Sequence, residues 1–583
     1  MLENEITIMI AGEAGMGVES SGVGFCRALT RGGRYVFGYP SFYSRIRGGH
    51  NYFTIRTALE PVHALGEEGI DLLLALDLQS IREHVDEMVE GGAIVYDSKD
   101  ELPEDLKREG VTFIPMALTE EAGAAGAVIM RNTMALGAAA EIIGFDVVYD
   151  EEIIRQNFAA KGEKIVQANL KVHAGGVRAA AAFAEDFPYR MGESPEDVPE
   201  RLLVNGSQAF GMGALAGGCR FVSGYPMTPG SPVLQWLTLH SERFNVVSKH
   251  AEDEIAAICM AIGAGVMGAR ALVPTSGGGF ALMVEAMGLA GITETPVVIY
   301  NAQRPGPATG LATRTEQADL LFMLHAPQGE FPRMMCAPGT HEEAFKVGWQ
   351  VFNWAERYQT PILVLGDQYL ADSFKTLEKD AFDFDAVEID RGELLTAEDL
   401  EAYGEEERYL RYKITESGIS PRALPGHPNA IWVTTGNEHW EDGAITEEPE
   451  MRVAQVEKRF RKQEGMREEI PAPTTYGPEG AAITLVCWGS LFGPVREAVD
   501  RLNAAQEGRA NLLHFCGLEP FPPGAEALLR AANRLIAVEQ NFTGQLETLI
   551  QARTGISMDG RIRKYDGRPV RLPYIVEQLS EEV

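Results

Sequence analysis

The sequence has no run of about twenty apolar residues, so no transmembrane helix is expected. It has no basic leader: the N-terminus, MLENEITIMIAG, is acidic, which argues against a secretory signal and for a cytoplasmic protein. Positive charge is scarce, with Lys+Arg 51 against Asp+Glu 84 and a net charge of −33. Phosphate recognition needs a basic footprint, so a nucleic-acid partner is not expected. Cysteine is sparse and scattered. The six, Cys26, Cys219, Cys259, Cys336, Cys487 and Cys516, form no CxxC pair, and the nearest two are 29 residues apart (516 − 487). Iron–sulfur and structural zinc sites use closely spaced ligands, so no metal-ligand set is assigned to this chain. A disulfide framework is not expected in a large intracellular protein, and small buried thiols are the plainer reading.

What is present is length and ordinary globular composition: 583 residues, 45% hydrophobic and 23% charged. Such a chain is too long for one core, and three or more domains follow. ITIMIAG (6–12) reads as a strand ending in a glycine turn, and VESSGVGFCRALTRGG (18–33) as a helix. Apolar runs at 70–76, 93–96 and 111–117, followed by helical stretches, predict a mostly parallel α/β sheet. The charged, proline-bearing segment 185–201 reads as a linker, after which the strand–helix pattern restarts and closes near residue 372. Residues 373–480 are heavily acidic, with runs such as GEEERY and TEEPEMR, and read as a surface extension or an arm over a partner. A third α/β unit runs from AAITLVCWGS (481–490) to the end.

The turn GEAGMG (12–17) places glycines at a strand-to-helix junction, where backbone N–H groups can approach a phosphate. Its spacing is GxxGxG, and no acidic residue follows where ribose recognition would need one, so a dinucleotide site is disfavoured. Another phosphate-bearing ligand or a structural turn remains open. SRIRGGHN (44–51) offers two arginines beside paired glycines, an anion contact or a loop at an interface.

Stronger signals lie in the second unit. In GYPMTPGS (224–231) two prolines stiffen a loop around Thr228 ahead of a helix, which suits a carboxylate; an N-capping threonine is the plain alternative. AEDEIAAICMAIGAGVMGAR (251–270) opens an alanine-rich helix with acids that the helix dipole favours in any case. Glu252 and Glu254 are two apart and cannot share a face; Glu254, followed by small residues, is the candidate for a pocket facing a flat ring. VPTSGGGFALM (273–283) sets three glycines before a helix, permitting close approach of a backbone or ring. NAQRPGPATGLATRTEQAD (301–319) holds Arg304 and Arg314 in a rigid loop, where a guanidinium fork can pair with both oxygens of a carboxylate. A surface salt bridge is the dull reading of either arginine.

Together YPMTPGS, EDEIAA, TSGGGFALM and QRPGPATGLATRTEQADL resemble the α subunits of 2-oxoacid:ferredoxin oxidoreductases, and the first 185 residues resemble that family's γ subunit. The resemblance implies a multidomain α/β chain: a γ-like, coenzyme A-associated domain (1–185), a linker (186–201), a pyrimidine-binding domain (202–372), an acidic extension (373–480) and a transketolase C-terminal-like domain (481–583). It implies that Glu254 hydrogen-bonds the aminopyrimidine of thiamine pyrophosphate, and that Thr228 and Arg304 hold the substrate carboxylate. Arg314 is a candidate for a second carboxylate. Gly15, Gly17 and Arg47 would be coenzyme A contacts. The reaction implied is coenzyme A-dependent oxidative decarboxylation of a 2-oxoacid, with 2-oxoglutarate favoured over pyruvate or a branched-chain 2-oxoacid, and electrons passing to ferredoxin.

No GDG…N string of the kind that holds magnesium and the diphosphate is found, and no clustered cysteines. The resemblance assigns both features, Mg2+ with the diphosphate and a 4Fe-4S cluster, to a β subunit, implying an (αβ)2 assembly with a shared site. Two readings of other classes compete. A dehydrogenase with a dinucleotide-binding fold rests on GEAGMG alone. A non-catalytic interaction subunit would keep the fold but tolerate loss of Glu254.

Overall fold

In the computed structural model, residues 5–43, 48–66, 69–192, 197–404 and 407–582 are described. The chain divides into two compact units: residues 1–205 with 372–381 and 571–577, and residues 206–371 with 382–570 and 578–583.

The first unit is built on an eight-stranded sheet. Its order is Thr112–Met116, Met88–Asp97, Ile70–Ala75, Ile6–Glu13, His50–Ala58, Tyr35–Ser41, Phe374–Glu378 and Arg201–Asn205. The first four strands pair in parallel and the rest antiparallel. The sheet is therefore mixed, where the apolar runs predicted a mostly parallel one. The antiparallel half hides in sequence because Tyr35–Ser41 carries Gly38 and Pro40, residues that read as a turn. Gly38 is there for packing: a Cβ would meet Cys26 Sγ and Phe53 Cε1 at 2.9 Å each. Phe374–Glu378 also departs from the expected acidic extension, since its register against 201–205 and 37–38 makes it an inner strand. Helices Arg131–Ile143 and Glu163–Ala184 pack so closely that a Cβ on Gly137 would lie 2.3 Å from the His173 carbonyl oxygen. A Cβ on Gly176 would lie 2.0 Å from that of Met134. Only glycine permits that approach.

The second unit holds two sheets. The larger has the order Gly517–Glu519, Met334–Cys336, Pro361–Asp367, Val297–Gln303, Arg270–Thr275, Cys219–Gly224 and Val247–His250. All pairs are parallel except the first. The smaller, Thr474–Tyr476, Ala510–Phe515, Ile483–Trp488, Leu535–Glu539 and Gly560–Arg563, is parallel but for its first strand. One core joins them, with Phe280, Met287 and Ile299 in the same buried cluster as Trp488, Phe515 and Leu546.

The acidic extension docks through its basic residues onto its own chain. Glu294, at 1% exposure, accepts from Lys458 Nζ at 2.6 Å and from Lys462 Nζ, while Arg411 Nη2 donates to the Glu294 carbonyl oxygen at 2.7 Å. Buried Glu356 likewise pairs with Arg270, Arg391 and Arg422 at 2.7–2.8 Å. Glu294 and Glu356, two buried acids, are thus each matched by several cations. That is the arrangement a buried charge requires.

Candidate functional site

Parallel strands joined by helical crossovers bring their following loops to one edge of a sheet, the usual place for a ligand in such folds. Four loops of the larger sheet meet this condition: those after Cys219–Gly224, Val247–His250, Arg270–Thr275 and Val297–Gln303. All the second-unit candidates of the sequence lie on them.

Glu254 is the first residue of the helix Glu254–Val266, whose N-cap Asp253 accepts from Ala256 N at 2.8 Å. The cap fixes the helix start and turns the Glu254 side chain inward, where it is 4% exposed. Its Oε1 is buried with no hydrogen-bond partner. A carboxylate oxygen left so is costly unless a ligand satisfies it.

The glycine triplet opens the helix Gly277–Ile292. A Cβ on Gly279 would lie 2.9 Å from Glu254 Oε1 and 2.2 Å from Thr275 Oγ1; one on Gly277 would lie 2.5 Å from Asp319 Oδ2. At Gly278 the nearest atoms are Met227 Sδ at 3.7 Å and the Ala308 carbonyl oxygen at 3.8 Å. The triplet is thus the hub on which the loops bearing residues 227, 254, 308 and 319 close. Ser276, at its N-cap, makes no cap bond, and its Oγ too is buried without a partner. Unsatisfied polar atoms beside side-chain-free backbone fit a flat heteroaromatic ring that offers an N–H or ring nitrogen to Glu254.

Arg304 and Thr228, far apart in sequence, meet: Arg304 Nη1 donates to the Thr228 carbonyl oxygen at 2.6 Å. Burial lowers the Arg304 pKa, and nearby Asp319 opposes that shift. Thr228 itself is half-buried. Arg314 sits beside Pro305 against the Gly567 turn, where a Cβ on Gly567 would lie 3.2 Å from Arg314 Cβ and 3.5 Å from Pro305 Cγ.

Sequence reasoning missed several residues here. Asp319 accepts from Asn301 Nδ2 at 2.9 Å, and burial raises its pKa against the pull of Asn301 and Arg304. Burial, with the charges of Asp319 and Asp566, pushes the Glu316 carboxyl up to about 7. The loop 315–319 is laced to residues 540–545 of the smaller sheet's module. Gln317 N donates to the Gln540 carbonyl oxygen at 2.8 Å, Asn541 Nδ2 to that of Gln317 at 3.0 Å, and Gln545 Nε2 to that of Ala318 at 2.7 Å. The signal available was the polar string EQN closing the apolar run RLIAV. A strand that ends in amide side chains has something to hold.

In the first unit, Gly15 and Gly17 have φ of 94° and 78°, a left-handed conformation that favours glycine. Asn132 Nδ2 donates to the Met16 carbonyl oxygen at 2.6 Å and steadies the turn. A Cβ at Gly15 would meet nothing within 4 Å, so this backbone faces open space. Arg47 lies outside the described residues.

Two family models match the chain: "Pyruvate ferredoxin/flavodoxin oxidoreductase" over residues 7–179, and "Pyruvate flavodoxin/ferredoxin oxidoreductase, thiamine diP-bdg" over 212–458. The chain is 34% identical to the 2-oxoacid:ferredoxin oxidoreductase 2, subunit alpha, of Aeropyrum pernix, covering 97% of this chain and 96% of that one. It is 29% identical to the 2-oxoglutarate oxidoreductase subunit KorA of Mycobacterium tuberculosis, covering 95% and 87%. A solved structure of 2-oxoglutarate:ferredoxin oxidoreductase from Magnetococcus marinus, with 2-oxoglutarate, coenzyme A and succinyl-CoA bound, superposes with a TM-score of 0.90 at 32% identity over 99% of each chain. No helix among the described residues is long and apolar enough to cross a membrane.

Proposed function

The chain belongs to the 2-oxoacid:ferredoxin oxidoreductases, as an α subunit of these thiamine-dependent enzymes, and from that premise we propose that it binds 2-oxoglutarate and converts it to succinyl-CoA with a partner chain. The observation that carries the site assignment is Glu254, a buried carboxyl with an unbonded oxygen facing the glycine triplet. In the domain 202–372 Glu254 bonds a ring nitrogen of the aminopyrimidine, and the triplet leaves room for the ring. Thiamine pyrophosphate, when bound, supplies the nucleophilic carbon and the electron sink for decarboxylation.

Thr228 and Arg304 grip the carboxylate beside the ketone, a hydroxyl and a guanidinium on one loop pair. Arg314 takes the distal carboxylate, and this second cation in the same loop is what favours 2-oxoglutarate over pyruvate or a branched-chain 2-oxoacid. The turn at Gly15 and Gly17, with Arg47, contacts coenzyme A from the domain 1–185, and the domain 481–583 braces the substrate loop through Gln540, Asn541 and Gln545.

The chain itself has no diphosphate string and no cysteine cluster. A β subunit would bring Mg2+ with the diphosphate site and a 4Fe-4S cluster, in an (αβ)2 assembly that reduces ferredoxin. Ile255 and Cys259 lie exposed on the helix Glu254–Val266, Met267 at its C-cap and Leu282 on the next helix, which supports a partner on this face. A helix this apolar on its outer side calls for a partner. Six free cysteines suit the reducing cytoplasm.

Glu254→Ala in the reconstituted complex tests the assignment. Turnover should fall by roughly 10²–10⁴-fold, the range for loss of a group that holds or moves a catalytic proton, with the melting temperature and partner binding retained. Unchanged turnover would sink it and return the chain to a purely assembling role.

A further inference from the structure

The first unit contains a cavity of about 570 Å³ that no part of this scheme uses. It lies among four helices: Val18–Arg31, Arg131–Ile143, Val147–Phe158 and Glu163–Ala184. Val23, Leu136, Ile154 and Phe158 give it apolar walls. Asp150 and His173 also line it, 5% and 1% exposed, with Asp150 Oδ2 3.5 Å from His173 Nε2 and neither atom hydrogen-bonded. Arg27 and Lys161 stand exposed among its lining residues, with Asn157 beside them. Lys161 Nζ lies 5.3 Å from the centre of the Phe158 ring.

This volume and mixture, apolar walls with a few convergent polar groups, is that of a small-molecule site. A merely structural ion pair would close to hydrogen-bond distance, since buried polar atoms are rarely left unpaired. Glu19 is exposed among the lining residues as well. Two cations at the rim suit a phosphate, an aromatic and aliphatic slot with an amide suits a base, and a buried carboxylate with an imidazole suits hydroxyl groups. We propose that this cavity is a nucleotide site, taking a nucleoside phosphate with its phosphate at Arg27 and Lys161 and its ribose hydroxyls at Asp150 and His173. The occupant is a free nucleotide, distinct from the coenzyme A placed above at the turn of Gly15 and Gly17.

Gly24 supplies a clean test. It lines the cavity, and a Cβ there would meet only Asn157 Nδ2 at 3.8 Å and Ile153 Cγ2 at 3.9 Å, ordinary contacts. Gly24→Leu should therefore fill the space without a backbone clash, and Arg27→Glu should reverse a rim charge on an exposed residue. AMP is titrated calorimetrically into the purified complex. Saturable binding is expected in the wild type, lost in Gly24→Leu and weakened at least about tenfold in Arg27→Glu, tenfold being roughly 1.4 kcal/mol. An unchanged KM for coenzyme A in both variants assigns a free nucleotide. A KM for coenzyme A raised in step with the AMP loss overturns the proposal, since the cavity would then belong to the coenzyme A site. No AMP binding by the wild type, or equal binding by wild type and Arg27→Glu, overturns the proposal, and the second comparison holds even where Gly24→Leu does not fold.

Discussion

Replacing Gly279 by alanine is the most direct way to ask whether the glycine triplet exists for the site. The added Cβ would sit 2.2 Å from Thr275 Oγ1 and 2.9 Å from Glu254 Cγ and Oε1. Carbon and oxygen do not approach so closely, so Thr275 or Glu254 must move by about 1 Å, at an overpacking cost of about 1–3 kcal/mol. Alanine inside a helix recovers about 1 kcal/mol relative to glycine. The net loss of stability is then only about 0–2 kcal/mol, whereas a 1 Å misplacement of a catalytic group can cost about 100-fold in rate. The assay is turnover of the reconstituted complex beside its melting curve: kcat is expected to drop about 100-fold while folding is nearly retained. Gly278→Ala is the matched control, because its Cβ meets nothing nearer than Met227 Sδ at 3.7 Å and the Ala308 carbonyl oxygen at 3.8 Å, ordinary contacts that spare the fold. A loss of thiamine pyrophosphate binding in Gly278→Ala would report a ligand's approach, not a protein clash. If Gly279→Ala keeps kcat within about threefold of wild type, the coupling between the triplet and Glu254 is wrong.

Arg304→Lys keeps the charge but loses the fork, and charge-assisted hydrogen bonds contribute about 1.5–3 kcal/mol; KM for the 2-oxoacid should rise about 10- to 100-fold with cofactor binding unaltered, and unchanged kcat and KM would refute the grip. Glu316, whose carboxyl titrates near 7, gains its negative charge beside the proposed carboxylate site as pH rises. Substrate KM should therefore climb above pH 7 in the wild type and stay flat in Glu316→Gln, and parallel profiles would count against it. Glu294→Gln leaves Lys458, Lys462 and Arg411 facing one another, and removing one partner of a buried pair costs about 3–5 kcal/mol. Limited proteolysis should then cut within 383–470 well before the wild type is cut, and an identical digestion pattern would show that the cluster does not hold the extension. Burial pushes the Lys458 amine down to about 7, against the pull of Glu294. Between that value and the ordinary lysine pKa the unfolded chain binds more protons, so this group's contribution to stability rises with pH. Lys458→Met should flatten that limb of a melting-temperature profile, and an unaltered slope would be the contrary result.

Periodicity and motif order made much of this legible. The strands at 6–12, 70–76 and 93–96 announced themselves as apolar runs, and Thr228, Glu254 and Arg304 as polar residues in places where rigid loops or helix starts give them a purpose. The hairpin 35–58 did not, because Gly38 and Pro40 mimic a turn and only their packing against Cys26 and Phe53 explains them. Nor did the docking of residues 383–470, since a segment that is acidic overall hides the few cations that bury against Glu294 and Glu356.

What the sequence determined by itself was local and chemical: which residues could bond a ring or a carboxylate, and the absence of a diphosphate string and of clustered thiolates. What the tertiary structure alone decided was adjacency. That Arg304 reaches the Thr228 carbonyl 76 residues away, that Gly279 faces Glu254, and that Gln540 and Asn541 brace the 315–318 loop all follow from parallel strands delivering distant loops to one sheet edge. No spacing along a chain encodes that convergence, because it is set by the order of strands in the sheet and not by their order in sequence.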